Sequence, residues 1–449
     1  MFPEAKRVLS DRRTLLRGAG AIGLGALCAG LPGSGGLFAS CASPRGRDDQ
    51  ATDEATSGAD DLFAHLEDAT AGSTPISGTE RAARRARLGK ILTAHGADAL
   101  LVEPGATLTY LAGVAWGRSE RLFALVVLAD GSHFFVVPAF EESRARNQID
   151  APDGPGGALC TWNEAEYATA PLARALRERG VQRVLIEPQL RHVFAARLAQ
   201  ELPGGSVASG HAVIVELRAV KEEHELALLR RANEITQTAI VAVAETLRAG
   251  LTGAEIGARM DRAHRRLGLR SPWNLSLIGP AAALPHGDAS ARKLAPGDVV
   301  LIDTGGALHG YQSDITRTWV FGAAPELEIE RVWHTVRDAQ SAALAAIRAG
   351  VEARAVDACA REFVARQGFA AGYRDFTHRL GHGIGLEGHE DPYFDGGSDT
   401  ILRAGMTLSV EPGLYFPGRF GVRIEDIIAV TPDGAEVFGT RQKGPGSPA

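Results

Sequence analysis

Apolar positions along the chain fall into three rhythms: a continuous run near the N-terminus, a stretch with little periodicity, then alternating helix and strand patterns. The sharpest pattern is Val299–Thr318. A four-residue apolar run, Val299-Val300-Leu301-Ile302, stops at Asp303; Gly305-Gly306 follows, and alternation resumes from Tyr311 into Trp319-Val320-Phe321. Two β-rich runs around a turn-prone segment predict a hairpin, with Asp303 closing the first strand and Asp314 in an antiparallel second. Acids on paired strands repel unless something positive lies between them, and a hard divalent cation suits carboxylate oxygens. Two turn acids facing water would satisfy the same pattern, so the pair alone decides nothing.

Upstream, Glu80–His95 has the period of a basic amphipathic helix, and residues 96–102 turn into a buried strand. Leu122–Leu128 and His133–Val137 flank Asp130-Gly131, a strong hairpin turn. A helix over Glu166–Arg179, a strand over Val181–Ile186 and a helix over Arg191–Glu201 complete an α/β alternation, predicting a compact domain over residues 78–212. No acid, base or nucleophile clusters in it; it reads as a gating or oligomerisation module, or as scaffold.

The second domain is expected over residues 213–441, with 442–449 as a tail. Glu222–Arg248 carries Leu226, Leu229, Ile235 and Ala239 on one stripe, and Thr252-Gly253-Ala254-Glu255 is a capping box for a helix reaching Gly268. An internal repeat then shows. Leu247-Arg248-Ala249-Gly250-Leu251 recurs as Ile347-Arg348-Ala349-Gly350-Val351, each followed by a helix ending at a glycine, Gly268 or Gly368. The stretch from Gly297 to Gly305 also aligns with Gly405 to Gly413, which sets Asp303 on Glu411. Two similar halves, each ending a strand in a carboxylate, predict a pseudo-two-fold domain with a shared central site.

Other chemistry falls near that site. His382 lies in Leu380-Gly381-His382-Gly383-Ile384-Gly385, an irregular stretch in which glycines allow close backbone approach. A lone histidine is more often a core residue than a ligand, but His378 and His389 accompany this one. Arg423 and Glu425 alternate onto one strand face, as an ordinary ion pair also would. Asp303, Asp314, His382, Glu411 and Glu425 together offer four carboxylates and one imidazole, enough negative charge for two divalent cations.

Composition narrows the classes. The chain has 449 residues and a formal net charge of −6, with no basic cluster beyond the N-terminal arm and Arg81–Arg87, so nucleic-acid binding has no support. Four cysteines are too few and scattered for a disulfide framework. The N-terminal apolar run follows Arg12-Arg13 and ends near Phe38, and this resembles a twin-arginine export signal over residues 1–41. Phe38-Ala39-Ser40-Cys41 resembles a lipobox with Cys41 as the lipid-bearing residue, although leucine is usual where Phe38 stands. Gly18-Ala19-Gly20-Ala21-Ile22-Gly23 fits a dinucleotide fingerprint, but no βαβ unit surrounds it. Residues 42–77, rich in Ser, Thr, Gly, Asp and Ala, read as a solvated linker with a short helix near Leu62, Phe63 and Leu66.

Five ordered motifs carry a resemblance: Pro285-His286-Gly287, Asp303 with Asp314–Thr318, Gly381–Gly385, Glu411-Pro412-Gly413 and Arg423-Ile424-Glu425-Asp426. Together they resemble the pita-bread metallopeptidases, the creatinase, prolidase, aminopeptidase P and methionine aminopeptidase superfamily, preceded by a creatinase-type domain. The resemblance implies an α/β (α+β) fold with Asp303 on one metal, Asp314 and Glu425 bridging two, and His382 and Glu411 on the other. All five ligand types argue against creatine hydrolysis and against the superfamily's non-enzymatic members. His286, His378, His389 and Arg423 match its proline-peptide branch, whereas the methionine branch lacks His378 and Arg423. The implied activity is Xaa-Pro hydrolysis by a water activated between two divalent ions, manganese first and cobalt or zinc as alternatives. Glu411 would shuttle the proton, His389 and His286 would stabilise the carbonyl oxygen, and His378 and Arg423 would hold the proline side or the metal carboxylates. The expected partners are peptides with proline second and a second copy of the chain, with a lipid anchor at Cys41. A same-fold hydrolase of another amide or phosphoester, or a surface metal-binding protein without turnover, stands as the alternative.

Overall fold

The computed structural model describes residues 62–287 and 291–449. The predicted signal, Cys41 and the linker up to residue 61 lie outside them.

Residues 78–218 form an α/β layer domain. In chain order it comprises α1 (Gly78–Ala94), β1 (Ala99–Val102), α2 (Ala106–Ala112), β2 (Ala124–Leu128), β3 (His133–Pro138), α3 (Glu142–Ile149), β4 (Ala158–Trp162), α4 (Thr169–Glu178), β5 (Arg183–Ile186), α5 (His192–Glu201), β6 (Ser206–Ser209) and α6 (His211–Arg218). Ser77 caps α1 reciprocally with Glu80. The strands form one sheet in the order β4-β3-β2-β1-β5-β6. Its central strands are apolar on both faces because helices cover both. Leu100, Val102, Leu125, Val127, Phe135 and Val137 pack in one core with α1, α2 and α6, while Ala99, Leu101, Val126, Phe134 and Val136 pack in another with α4 and α5. Helix α6 belongs to the first core through Val213 and Leu217, so the join falls at Ala219–Glu222, a few residues past 213.

The second domain repeats a helix pair and a sheet. Its first half holds α7 (Glu223–Glu245), α8 (Gly253–Arg266), β7 (Arg270–Ile278), β8 (Val299–Leu308), β9 (Tyr311–Gln312) and β10 (Ile315–Val320). Its second holds α9 (Leu327–Ala346), α10 (Ala353–Arg366), β11 (Gly381–Gly383), β12 (Glu390–Phe394), β13 (Thr407–Val410), β14 (Gly413–Phe416), β15 (Phe420–Arg423), β16 (Asp426–Val430) and β17 (Ala435–Val437). The sheets run β10-β8-β7 and β12-β11-β13-β16-β17, and β14-β15 is a separate hairpin. Strand β8 alternates between two cores: Val300 and Ile302 face α7 and α8, Val299 and Leu301 face α9 and α10. Strand β16 does the same with Ile427 and Ile428.

The repeat read from sequence has a matching backbone. Gly250 and Gly350 both take positive φ, 92° and 87°, where a side chain would be strained. Each donates to a corresponding carbonyl, Leu294 at 2.8 Å and Leu402 at 2.9 Å. Gly297 and Gly405, which precede the two acid-bearing strands, share a φ of 89°.

Two expectations change. Residues 62–77 are not a solvated tether: Phe63, Leu66 and Ile76 are buried against α7 and α8. A turn, not a helix, forms there, with the Leu66 N–H donating to the Phe63 carbonyl at 2.9 Å. Three apolar side chains at irregular spacing suffice to dock a polar segment when a groove already exists. Nor is 442–449 a free tail, because buried Gln442 donates to the Thr318 carbonyl at 2.8 Å and the Pro445 carbonyl accepts from Val320 N–H at 2.8 Å. Among the described residues, no helix is long and apolar enough to cross a membrane.

Candidate metal centre

Strand ends from both halves meet at one buried spot. Asp303 lies within β8 opposite Thr316 of β10. Asp314 immediately precedes β10, its N–H donating to the Asn233 Oδ1 of α7 at 3.1 Å. From the second half come His382 in β11, Glu411 just after β13, and Glu425 between β15 and β16. The predicted break at Gly305-Gly306 does not occur: β8 continues to Leu308 and the chain turns at His309-Gly310. The glycine serves another purpose. A Cβ on Gly305 would lie 1.8 Å from the Ser313 carbonyl oxygen, so the returning segment that carries Asp314 can pass only over a bare backbone. Likewise Arg423 ends β15 and Glu425 sits in a link, rather than both on one continuous strand, yet the Glu425 N–H is fixed on the Thr316 carbonyl at 3.1 Å.

His382 Nε2 lies 3.4 Å from Glu411 Oε1, 3.6 Å from Asp314 Oδ2 and 3.9 Å from Glu425 Oε1. Asp303, Asp314 and Glu425 can bring one oxygen each within 4.8 Å of one another, as can the donor atoms of His382, Glu411 and Glu425. His382 Nδ1 faces the Gly383 carbonyl at 3.1 Å, which in the Nδ1–H tautomer leaves the Nε2 lone pair toward the acids. Burial first, then His389, depresses the His382 pKa to about 3, so the ring is neutral. Burial first, then neighbouring carboxylates, drives Asp314 and Glu425 well above the carboxyl range, and Glu411 to about 8. Buried oxygens Asp303 Oδ1, Asp314 Oδ1 and Glu425 Oε1 have no hydrogen-bond partner. Such orphaned acceptors are costly unless a cation takes them up. The donor set of four carboxylates and one imidazole fits hard divalent ions.

Around the acids stands a hydrogen-bonded ring. The buried Arg423 guanidinium donates to Asp303 Oδ2 at 2.6 Å, Thr316 Oγ1 at 3.1 Å, the Pro285 carbonyl at 3.2 Å and the Tyr415 hydroxyl at 3.1 Å. Thr316 Oγ1 donates to Glu425 Oε2 at 2.7 Å, and Ser409 Oγ to Glu411 Oε1 at 3.2 Å. His378 Nε2 meets the Tyr415 hydroxyl at 2.7 Å, and burial first, then Arg423, lowers its pKa to about 3. The His389 ring stacks on His382 at 3.7 Å and remains exposed at its outer edge. His286 is exposed at the rim, close enough to disfavour protonation of His378 and His389. Sequence reading missed Tyr415, Thr316 and Ser409. Two-residue spacing from Asp314 and Glu411 could have found the last two; nothing marks Tyr415.

A cavity of about 230 Å³ opens on His389 and is lined by Gln189, His211, Arg218 and Tyr393, so the N-terminal domain supplies one wall. A larger one, about 710 Å³ between α7 and residues 439–449, contains none of these histidines or carboxylates. Of the residues assigned to the site, the smaller cavity reaches His389 and none of the metal-binding acids.

Comparison with known proteins adds a lineage. The profile of Metallopeptidase family M24 matches residues 227–432, and that of the Creatinase/Prolidase N-terminal domain matches 84–220. The chain is 38% identical over 359 residues to the Probable dipeptidase PepE of Mycobacterium tuberculosis, covering 79% of this chain and 93% of that one. Among solved structures, dipeptidase PepE from Mycobacterium ulcerans superposes with a TM-score of 0.76 at 33% identity, over 84% of this chain and 100% of that one. The Xaa-Pro dipeptidase from Bacillus anthracis gives 0.71 at 28% identity, over 82% and 99%.

Proposed function

The chain belongs to metallopeptidase family M24, with a creatinase/prolidase N-terminal domain and a pita-bread catalytic domain, and on that premise we propose that it hydrolyses the bond between an N-terminal residue and proline. The observation that carries the reading is the set of orphaned buried oxygens on Asp303, Asp314 and Glu425, three acids that cluster beside His382 and Glu411. Asp303, Asp314, His382, Glu411 and Glu425 would hold two divalent cations, with Asp314 and Glu425 shared between them. Bound there, such a pair supplies Lewis acidity that brings a water's pKa toward neutrality.

The chain's own groups do the rest. Glu411, which would be a carboxylate once cations offset the neighbouring acids, would accept the proton of the attacking water and deliver it to the leaving nitrogen. His389, stacked on His382 with its edge open, stabilises the developing oxyanion together with His286 at the rim. Arg423, anchored on Asp303, and His378, anchored through Tyr415, shape the side that receives the proline ring. Proline's tertiary amide offers no N–H, so this side need supply no acceptor for one.

The test is turnover by manganese-, cobalt- or zinc-loaded protein of Ala-Pro, Ala-Pro-Ala, Ala-Ala and Met-Ala-Ala. Faster cleavage of the proline peptides is expected, and the ratio of Ala-Pro to Ala-Pro-Ala assigns dipeptidase or aminopeptidase mode. Preference for Met-Ala-Ala would move the chain to the methionine branch; metal binding with no turnover would leave a metal-binding protein. We further propose export of the folded protein, lipid attachment at Cys41, and a homodimer. Replacing Arg12 and Arg13 by lysine should retain the protein in the cytoplasm, Cys41→Ser should release it from membranes, and light scattering reads the dimer.

A further inference from the structure

The chain crossing from the N-terminal domain into the catalytic domain carries two buried cations that no part of the proposed chemistry uses. Arg218 ends α6, and Lys221 lies three residues on, its N–H held by the Gly405 carbonyl at 2.9 Å. Both converge on Glu390. Lys221 Nζ donates to Glu390 Oε1 at 2.8 Å, and Arg218 Nη2 donates to Glu390 Oε2 at 2.5 Å. Arg218 also reaches Glu387 Oε2 at 2.8 Å and, through Nη1, Thr107 Oγ1 of α2 at 3.0 Å. Two cations and two carboxylates make a neutral cluster, and the side chains of Arg218, Lys221 and Glu390 are 8%, 1% and 8% exposed. Burial opposes ionisation of Glu390, but Lys221 and then Arg218 more than reverse that and hold it below its usual range.

Glu390 is the residue after His389. Its carboxylate fills the inside of the loop that leaves His382 and returns at His389. A Cβ on Gly385 would lie 2.6 Å from Glu390 Oε1, so the loop is wrapped around this carboxylate with no room for a side chain. The loop is also closed on itself by the Gly385 N–H to the Glu387 carbonyl at 3.0 Å, and fastened to β9 by the Gln312 N–H to the Gly385 carbonyl at 2.8 Å. At its far end His389 stacks on His382.

We infer that Lys221 and Arg218 are positioning residues for His389: they pin Glu390, and through it set where the exposed imidazole sits against the metal-binding acids. The end of the N-terminal domain and the crossing thereby tune His389 through one side chain each, Arg218 and Lys221. This rests on the peptidase reading only for what His389 does, not for what holds it.

The experiment uses full-length metal-loaded protein and the variant Lys221→Met, which leaves Glu390 its Arg218 partner so that the fold survives. Hydrogen exchange read by mass spectrometry should accelerate about five-fold or more at residues 384–389 and stay unchanged in the helices. Metal stoichiometry should not change. On Ala-Pro, kcat should fall about ten-fold with KM nearly constant, because the loss is one of alignment. Lys221→Arg should restore both readouts. In a His389→Ala background the same Lys221→Met change should cost less than about two-fold, since the positioned group is gone. Unaltered exchange at 384–389 in Lys221→Met overturns the inference, and so does a kcat loss that simply multiplies with that of His389→Ala. Should Lys221→Met fail to fold, Arg218→Lys is measured instead against the same criteria. If the wild type cleaves no proline peptide, the peptidase reading fails, while exchange still decides whether the cations hold the loop.

Discussion

Removing divalent cations should make the protein's stability fall as pH rises between 6.5 and 8, the reverse of acid denaturation. Without cations, burial and then repulsion from Asp303 hold the Glu411 carboxyl protonated to about pH 8, against 4.5 in the unfolded chain. Asp314 and Glu425 are displaced further in the same direction, by burial and by their neighbours' charge. In this interval the folded state binds protons that the unfolded state has already released, so raising the pH pulls toward unfolding. The contribution is fully present below about pH 4.5 and is lost on approach to the folded pKa. Each carboxyl still protonated across a 1.5-unit rise in pH costs ~2 kcal/mol over that rise. Glu411, half ionised at the upper end, should contribute about 1.6 kcal/mol and lower the melting midpoint of a chain this long by roughly 2 °C, and the other two acids add to it. Below pH 6.5 three histidines pull the other way: buried His264, held near 4, and half-buried His378 and buried His382, held near 3, are neutral when folded but protonate when unfolded. Above 6.5 that opposition fades, and because loaded and stripped protein share it, the gap between them isolates the carboxyls. With cations bound, the carboxylates are ionised at both ends of the interval and their contribution to the slope should vanish. Thermal scans of chelator-stripped and manganese-loaded protein at pH 6.5, 7, 7.5 and 8 check this. A gap between loaded and stripped midpoints that stays constant or narrows as pH rises would refute the reasoning.

Asp314→Ala should lose metal stoichiometry as well as activity, because a carboxylate shared by two ions would help fix both; elemental analysis showing two ions per chain with normal turnover would refute the assignment. His378→Ala removes the partner of the Tyr415 hydroxyl and should lower Ala-Pro turnover roughly ten- to a hundred-fold, about 1.5–3 kcal/mol, with metal content unchanged. Phe63→Ala should cost about 3–5 kcal/mol of stability, since the ring is 1% exposed in the core with α7 and α8; unchanged KM and a lowered midpoint are the expected pair of results.

Much of the site was legible because the chemistry repeats in the sequence. The acid of β8 falls on Glu411, and the flanking glycines, Gly297 with Gly405, adopt the same positive φ in the fold. What could not be read has physical reasons. Gly305-Gly306 looked like a turn because glycine favours turns, but the missing side chain is needed for close approach of Ser313 instead. Phe63, Leu66 and Ile76 have no regular period, so their burial depends on a groove made by helices almost two hundred residues away in sequence. Tyr415 shares the β14-β15 hairpin with Arg423, and only the tertiary fold brings the pair to His378. The N-terminal domain lacked any visible cluster of acid or base because the cations at its end and in the crossing, Arg218 and Lys221, find their carboxylates in the other domain.

The seam between the two halves is stitched by arginines running in opposite directions, and the two should behave differently when removed. From the first half, Arg317 of β10 donates to the Glu425 carbonyl at 2.6 Å and Asp426 Oδ1 at 2.7 Å, a pair with side chains 2% and 0% exposed. From the second half, Arg423 returns to Asp303 at 2.6 Å. Removing one member of a buried ion pair leaves an uncompensated charge and costs about 3–5 kcal/mol. Asp426 then keeps a hydrogen bond from Gln340 at 2.9 Å and the more distant charge of Arg441. Arg317→Met should therefore lower stability in both metal-loaded and stripped protein. Asp303 differs, because its other oxygen is among those facing the metal-binding cluster, so bound cations can compensate the charge that Arg423 leaves behind. Arg423→Met should thus be destabilised only when stripped, while losing proline-peptide turnover when loaded. Equal destabilisation of Arg423→Met with and without manganese would mean that Asp303 does not share its charge with the metals.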